Sequence, residues 1–469
     1  MTAEVADAIV VGMGPGGEDA ATRMAQEGLS VIGVEGNLVG GECPYYACVP
    51  TKMMIRAANS LAEAHRVAAL AGSVSVRPDW APVAARIRAE ATDNWDDTVA
   101  VERFENAGGR FIRGWGRITA PGAVTVATES GPRLLRAAKA IVLNPGSAPA
   151  IPPIPGLRET PYWTNRDAVA TTTVPESLIV LGGGPVACEF SQVFARFGTS
   201  VTVLVRSRLL SRDEPEAGAL IGDVLTGEGV TIHRGASATL VEHDGHQFTV
   251  HLEGGDPVRA RNLLIATGRH TDLAALGVGA VGVDDTASTI RVDDRMRAAD
   301  GVWAIGDVTG RGAFTHMSVY QARIAVADIL GRPGEPADSR AVPRVTFTDP
   351  EVGAVGLSES AARAAGIPVR TGRSDIPQSA RGWIHKAGNE GFIKVVADTD
   401  RGVLVGATSV GPVGGEVLAT LTLAVHARVP IGRLRRMIYA YPTFHRAIES
   451  ALEDLGELMP DGATQRVTT

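Results

Sequence analysis

The 469 residues are 45 % hydrophobic, include 55 glycines and three cysteines, and carry a formal net charge of −7. A chain this long divides into several domains, and its Lys and Arg form no basic stripe of the kind that tracks a nucleic-acid backbone. Three cysteines are too few for an extracellular disulfide framework, no apolar stretch approaches the ~18 residues of a membrane span, and the N-terminus lacks a basic leader, so the chain reads as soluble and cytoplasmic.

Ala8-Ile9-Val10-Val11 is short and apolar enough for a buried parallel strand, and Gly12-Met13-Gly14-Pro15-Gly16-Gly17 follows it directly. Gly12, Gly14 and Gly17 make GxGxxG: a tight turn, a close approach for a pyrophosphate, and a close contact of helix with strand. A helix over 16–26 and a strand over 30–34 come next. Glu35 closes that strand about 20 residues on, where an acid accepts a hydrogen bond from a ribose hydroxyl. Then comes Gly40-Gly41-Glu42-Cys43-Pro44-Tyr45-Tyr46-Ala47-Cys48-Val49-Pro50-Thr51-Lys52, bounded by glycine and proline and running into a helix-like stretch. It sets a thiol pair close to the nucleotide turn. In a reducing compartment such a pair cycles or binds metal, and no compact Cys/His cluster nearby supplies the further ligands that zinc needs.

A polar, helix-rich stretch leads to a β-meander ending at Ala140-Ile141-Val142-Leu143-Asn144-Pro145-Gly146, and the proline-rich run 148–156 reads as a linker. The nucleotide pattern then recurs: strand 177–181, a GxGxxA turn at Gly182, Gly184 and Ala187, and strand 200–205. Here Val205 stands where an acid would, followed by Arg206, Arg208 and Arg212. Guanidinium pairs with phosphate in bidentate fashion, so these arginines favour a 2′-phosphate, and NADPH over NADH. Cys188, inside the second nucleotide helix, reads as a packed core residue. After about residue 341 come strands near 344–347, 391–396 and 404–410 and amphipathic helices near 414–427 and 444–455, with no nucleotide turn. The fold class is α/β, with two Rossmann-like dinucleotide-binding domains and a C-terminal α+β domain.

In this order the motifs resemble those of the FAD-dependent pyridine nucleotide-disulfide oxidoreductases, the family of dihydrolipoamide dehydrogenase, glutathione reductase and mercuric reductase. The marks are the first glycine turn, Cys43-x4-Cys48 with Pro50-Thr51-Lys52, Gly182-x-Gly184 with Glu189, Ala266-Thr267-Gly268-Arg269, Ala304-Ile305-Gly306-Asp307, and the segment from Arg344 through Phe347-Thr348-Asp349-Pro350-Glu351 to Leu357. The resemblance implies an FAD-binding domain in two segments, 1–150 and 271–340, an NAD(P)H-binding domain at 151–270, and a dimerisation domain at 341–469. It also implies a homodimer whose active sites, shared across the interface, take a small-molecule substrate. Gly41 and Gly146 would lie against FAD, and Asp307 would bond its ribityl chain. Lys52, paired with Glu189, would lie near the flavin N5. Cys48 would be the charge-transfer thiol nearest the flavin and Cys43 the interchange thiol that meets the substrate.

The C-terminus departs from the family. Classical members carry His-Pro-Thr with a glutamate three residues beyond the threonine, and the second subunit presents that His to the interchange thiol as acid and base. Here the segment reads Tyr439-Ala440-Tyr441-Pro442-Thr443-Phe444-His445-Arg446, with Tyr441 at the histidine position and Arg446 at the glutamate position. A phenol of pKa near 10 is a poor proton shuttle at neutral pH. Three accounts stay open: His445 serves from its neighbouring position, Tyr441 orients a particular substrate, or the reaction avoids proton delivery at that sulfur. The last would make the chain a quinone reductase or transhydrogenase-like flavoenzyme, or a variant of the ketone reductase/carboxylase kind. Retention of both cysteines argues that the thiols are used. Mercuric reduction is disfavoured, because the sequence after Cys188 holds no cysteine to receive the metal.

Overall fold

The computed structural model describes residues 3–457. Strand Glu4–Val11 runs through the middle of the first sheet, parallel to Val31–Glu35 on one side and to Gly131–Leu143 on the other. Arg110–Arg113 and Val302–Ala304 extend the sheet outward. Ala8 to Val11 are all buried, as an unbroken apolar run must be in a parallel sheet covered on both faces. Helix Pro15–Gln26 follows with proline in its first turn and no side-chain cap, so its first N–H groups stay open at the carboxyl edge of the sheet. Its glycines allow close packing. A Cβ on Gly17 would stand 2.0 Å from the Gly12 carbonyl oxygen, and one on Gly16 would stand 1.9 Å from the Ser318 hydroxyl of helix Thr315–Ile329.

Gly131–Leu143 serves twice, pairing in antiparallel fashion with Ala123–Thr128, which in turn pairs with Trp115–Ala120. This is the meander expected from sequence. The chain then leaves for a second, wholly parallel sheet of Thr231–Arg234, Ser200–Val205, Ser177–Leu181 and Asn262–Ile265. The outgoing and returning strands touch where Ala148–Pro149 pairs with Arg269–His270. The C-terminal part is a five-stranded antiparallel sheet, Pro343–Thr346, Glu351–Gly356, Val403–Gly411, Phe392–Asp398 and Val369–Asp375, in that order. Helices Gly414–His426 and Ala447–Asp454 bury Leu418, Leu421, Ile448 and Leu452 against it. The expected last helix begins later than 444, because one 3-10 turn, Phe444–Arg446, precedes it.

Helix Pro185–Arg196 of the second sheet holds the parts together. Its Phe190 and Phe194 share one core with Met54 and Ile55 of helix Cys48–Leu70 and with Val352 and Phe392 of the C-terminal sheet. Gln192 bonds both ways with the Asp349 backbone, at 2.8 and 2.7 Å. The Asp349 carboxylate takes Arg196 at 2.9 Å and Arg66 at 2.7 Å. Lys394, buried, meets Glu214, Glu216 and Glu359 at 2.8 to 3.0 Å. Among the described residues no helix is long and apolar enough to cross a membrane, and no cluster of His, Cys, Asp or Glu is placed to hold a metal. Arg196 and Arg66 keep Glu228 and Glu63 as partners, so Asp349→Ala should lower stability by about 1–3 kcal/mol, the cost of lost charged hydrogen bonds. A urea midpoint unchanged from that of the parent would contradict it.

Candidate functional site

A cavity of about 1410 Å³ opens along the carboxyl edge of the first sheet and reaches the second and third parts of the chain. Gly12, Gly14, Glu35 and Trp115 line it beside the first nucleotide turn, Asp307 and Thr51 farther along, and Cys43, Cys48, Lys52, Glu189 and Phe347 where the three parts meet. Gly12 turns the chain at φ +93°, and a Cβ there would stand 2.1 Å from the Asn144 carbonyl oxygen. Gly41 at φ +67° and Gly146 at φ +66° keep further stretches of wall free of side chains. Glu35 accepts bonds from the backbone N–H groups of Met13 at 2.9 Å and Asn37 at 2.7 Å, which fix its carboxylate at the end of its strand. Burial pushes its pKa up, against the pull of those bonds. Asp307 Oδ2 accepts from the Ser147 hydroxyl at 2.5 Å, and Arg269 Nε donates to that hydroxyl at 2.8 Å. Open helix N–H groups, a wall without Cβ atoms and a fixed acid beyond them fit a pyrophosphate and ribose, and the cavity fits FAD.

At the other end Cys48 opens the 23-residue helix Cys48–Leu70, while Cys43 lies in the one-turn helix Glu42–Tyr45. Both thiols are free. Cys48 faces the cavity, its Sγ 3.5 Å from the Thr315 hydroxyl. The neighbouring Cys43 thiol, aided by Thr315 and by the positive charge of Lys52, brings the Cys48 pKa down to about 6 against the cost of desolvation. The Cys48 neighbour, together with burial, pushes Cys43 well above the ordinary thiol range. The pair therefore holds one thiolate near neutrality, and it sits on Cys48 at a helix N-terminus. Lys52 Nζ donates to Glu189 Oε2 at 2.9 Å and lies 4.5 Å from the centre of the Phe347 ring. Glu189 Oε1 accepts from the Phe347 backbone N–H at 2.8 Å.

Several residues singled out from the sequence lie elsewhere. Gly182, Gly184, Arg206 and Arg212 sit at the carboxyl edge of the second sheet, outside the lining of this cavity. Arg208 is not available to a phosphate, because its guanidinium bonds the carbonyls of Leu210, Ser211 and Asp213 at 2.8 to 3.3 Å. Arg206 and Arg212 stay exposed. Gly268 is also outside the lining, its carbonyl accepting from Ala150 N–H at 2.9 Å where the two strands cross. Tyr441 and His445 do not reach the thiols of their own subunit. The Tyr441 ring is exposed with the Arg446 guanidinium 5.5 Å from its centre, and His445 lies 6.2 Å from the ring of Tyr439. Cys188 is buried, and burial raises its pKa. Thr315 and Glu42, both beside the thiols, were not foreseen. For Thr315 the sequence held no signal, since 267 positions separate it from Cys48.

Residues 6–323 match the family described as "Pyridine nucleotide-disulphide oxidoreductase", and residues 342–452 match its dimerisation domain. A mercuric reductase of Shewanella putrefaciens is 32 % identical over 445 residues, 92 % of this chain and 78 % of that protein. A dihydrolipoyl dehydrogenase of Chlorobaculum tepidum is 32 % identical over 458 residues, 96 % of each chain. The HOCl-induced flavoprotein disulfide reductase RclA from Escherichia coli, solved as a Cu(II) complex, aligns with a TM-score of 0.84 at 25 % identity, over 97 % of this chain and 99 % of that one.

With Cys43 and Cys188 both raised, only Cys48 titrates near neutrality. The ultraviolet absorbance of thiolate in the reduced protein should therefore rise through about pH 6. Thr315→Val should move that step upward, and Cys43→Ala should move it further, since Cys43 is the larger cause. The reverse order would contradict this account of the pair.

Proposed function

The chain belongs to the pyridine nucleotide-disulphide oxidoreductase family, FAD-dependent enzymes that draw electrons from NAD(P)H, and on that premise we propose that Cys43 and Cys48 are the redox pair through which it reduces a small disulfide or related electrophile. What supports the reading is a thiol pair with a single low-pKa member at one end of a cavity whose other end fits a dinucleotide. Bound FAD supplies a two-electron carrier between nicotinamide and sulfur. Glu189 holds the Lys52 ammonium at the edge of that site, where positive charge favours the Cys48 thiolate. Exposed Arg206 and Arg212 favour NADPH as donor.

The exchange begins with Cys43 passing its proton to the neighbouring Cys48 thiolate and attacking one substrate sulfur. The substrate S–S bond breaks, a mixed disulfide forms on Cys43, and one substrate thiolate leaves, taking the proton that Cys48 holds. Cys48, again a thiolate, attacks the Cys43 sulfur, expels the second substrate thiolate and closes the Cys43–Cys48 disulfide. One disulfide is reduced by two electrons and one is formed. Ile438, Met437, Leu423 and Tyr441 are each exposed on the segment that matches the dimerisation domain. A homodimer joined there would bring Tyr441 of one copy toward the thiols of the other. A second reading follows from Tyr441: with a weak acid in that place, the acceptor is a quinone or another group that needs no proton at Cys43.

Anaerobic titration with NADPH should bleach the flavin and raise a long-wavelength thiolate-to-flavin band that Cys48→Ser abolishes. Cys43→Ala should abolish turnover of the true substrate, whereas full turnover would favour the quinone or transhydrogenase reading. Tyr441→His combined with Arg446→Glu should raise reduction of simple disulfides by about 10²-fold. Arg206→Gln with Arg212→Gln should raise KM for NADPH and leave KM for NADH unchanged.

A further inference from the structure

The one-turn helix Glu42–Tyr45 cannot hold Cys43 in place unaided. It is flanked by Gly41 at φ +67° and by Ala47 in an irregular conformation, has no side-chain cap, and closes a single backbone bond, from Tyr46 N–H to the Glu42 carbonyl at 2.8 Å. An isolated turn of this length is unstable, because nucleation fixes several dihedrals for one hydrogen bond. Two side chains from far along the chain supply what the turn lacks. Arg166 Nε donates to Glu42 Oε1 at 2.8 Å, with Nη2 on the same oxygen at 2.5 Å. Asn165, buried, donates through Nδ2 to Glu42 Oε2 at 3.0 Å and to the Tyr46 carbonyl at 2.9 Å. The Arg166 guanidinium also covers the Tyr46 ring at 4.8 Å. Both ends of the Cys43 turn are thus held by one dipeptide.

That dipeptide is itself firmly placed. A reciprocal capping box, Thr164 with Asp167, starts helix Asn165–Ala170. Trp163 adds to the edge of the second sheet, with Trp163 N–H on the Leu263 carbonyl at 2.7 Å and Ile265 N–H on the Trp163 carbonyl at 2.8 Å. The Cys43 turn therefore hangs on the second nucleotide sheet, while Cys48 belongs to a long helix of the first part of the chain.

We propose that Glu42 is a positioning residue that, through Arg166 and Asn165, holds Cys43 within bonding reach of Cys48 and so sets the redox potential of the pair. The inference rests on the reading of Cys43 and Cys48 as the redox pair and names what tunes it. A disulfide is stabilised by the effective concentration of one thiol at the other. Freeing the turn lowers that concentration, so the disulfide becomes easier to reduce and Cys43 easier to alkylate.

The test is a redox titration of the FAD-loaded enzyme, parent against Glu42→Ala, Glu42→Gln and Arg166→Gln, with flavin content and melting temperature as folding controls. A tenfold loss in the equilibrium constant for disulfide closure reads as a midpoint about 30 mV less negative. The expected result is a shift of that size in Glu42→Ala and Arg166→Gln, a smaller one in Glu42→Gln, which keeps the Asn165 bond, and faster iodoacetamide labelling of Cys43 in the reduced enzyme. Glu42→Ala/Arg166→Gln should shift little further than Glu42→Ala alone, because removing the carboxylate already breaks the Arg166 contact. A parental disulfide whose potential and labelling rate are unmoved in every variant that binds FAD overturns the inference and leaves the functional reading intact. A parent that titrates no disulfide at all overturns both.

Discussion

The Glu189 carboxylate is the point on which the rest depends. One oxygen takes Lys52, 137 positions earlier, and the other takes the backbone of Phe347, 158 positions later. A buried carboxylate without such donors would be costly, and Lys52, whose side chain is 35 % exposed, supplies one of them. The consequence is topological. The first nucleotide fold, the second nucleotide fold and the C-terminal sheet must all be docked before this pair can close, and the cavity wall beside the thiols is built from the residues that close it. Helix Pro185–Arg196 makes the docking possible, because successive turns on one face present Glu189, Gln192 and Arg196 to the other two parts.

The two thiols differ because their local structures differ. Cys48 begins a helix of 23 residues, whose open N–H groups and dipole favour negative charge at its first position. Cys43 sits in a single turn with almost no aligned dipole behind it, and in the resting pair it keeps its proton. One sulfur is thus poised as a thiolate and the other keeps a proton to give. The exchange proposed above requires that proton to move to Cys48 before Cys43 can attack.

What was legible in the sequence is what local pattern determines. The run Ala8–Val11, the turn at Gly12, Gly14 and Gly17, and the acid at Glu35 are fixed by burial, sterics and spacing over a few residues, and they fold as read. The second strand and turn follow for the same reasons. Arg208 shows where such reading stops: its position after a nucleotide strand suggested a phosphate ligand, but the carbonyls of Leu210, Ser211 and Asp213 converge on it once the loop closes. Loop closure of that kind has no periodicity to read. Thr315 beside Cys48, and Arg166 beside Glu42, are long-range meetings that a single sequence does not encode in any spacing, although Glu42 itself stood in plain view beside the thiol.

The C-terminal departure from the family is best understood as a change of two residues together. In the family pattern an acid stands where Arg446 does, and a carboxylate beside an imidazole favours the protonated ring that an acid and base must visit. A guanidinium in that place would disfavour it, so a histidine at position 441 beside Arg446 would lose much of its use as a shuttle. A phenol ring faces no such conflict, since its negative π face accepts the guanidinium that lies 5.5 Å from its centre. Arg446 is itself tied to Glu449 at 3.0 Å, which fixes its place over the ring. Tyr441 and Arg446 form a consistent unit suited to holding an aromatic surface in a set orientation, and much less suited to passing a proton at neutral pH. On the proposed reading, proton management then falls to the thiols themselves and to the groups the substrate brings.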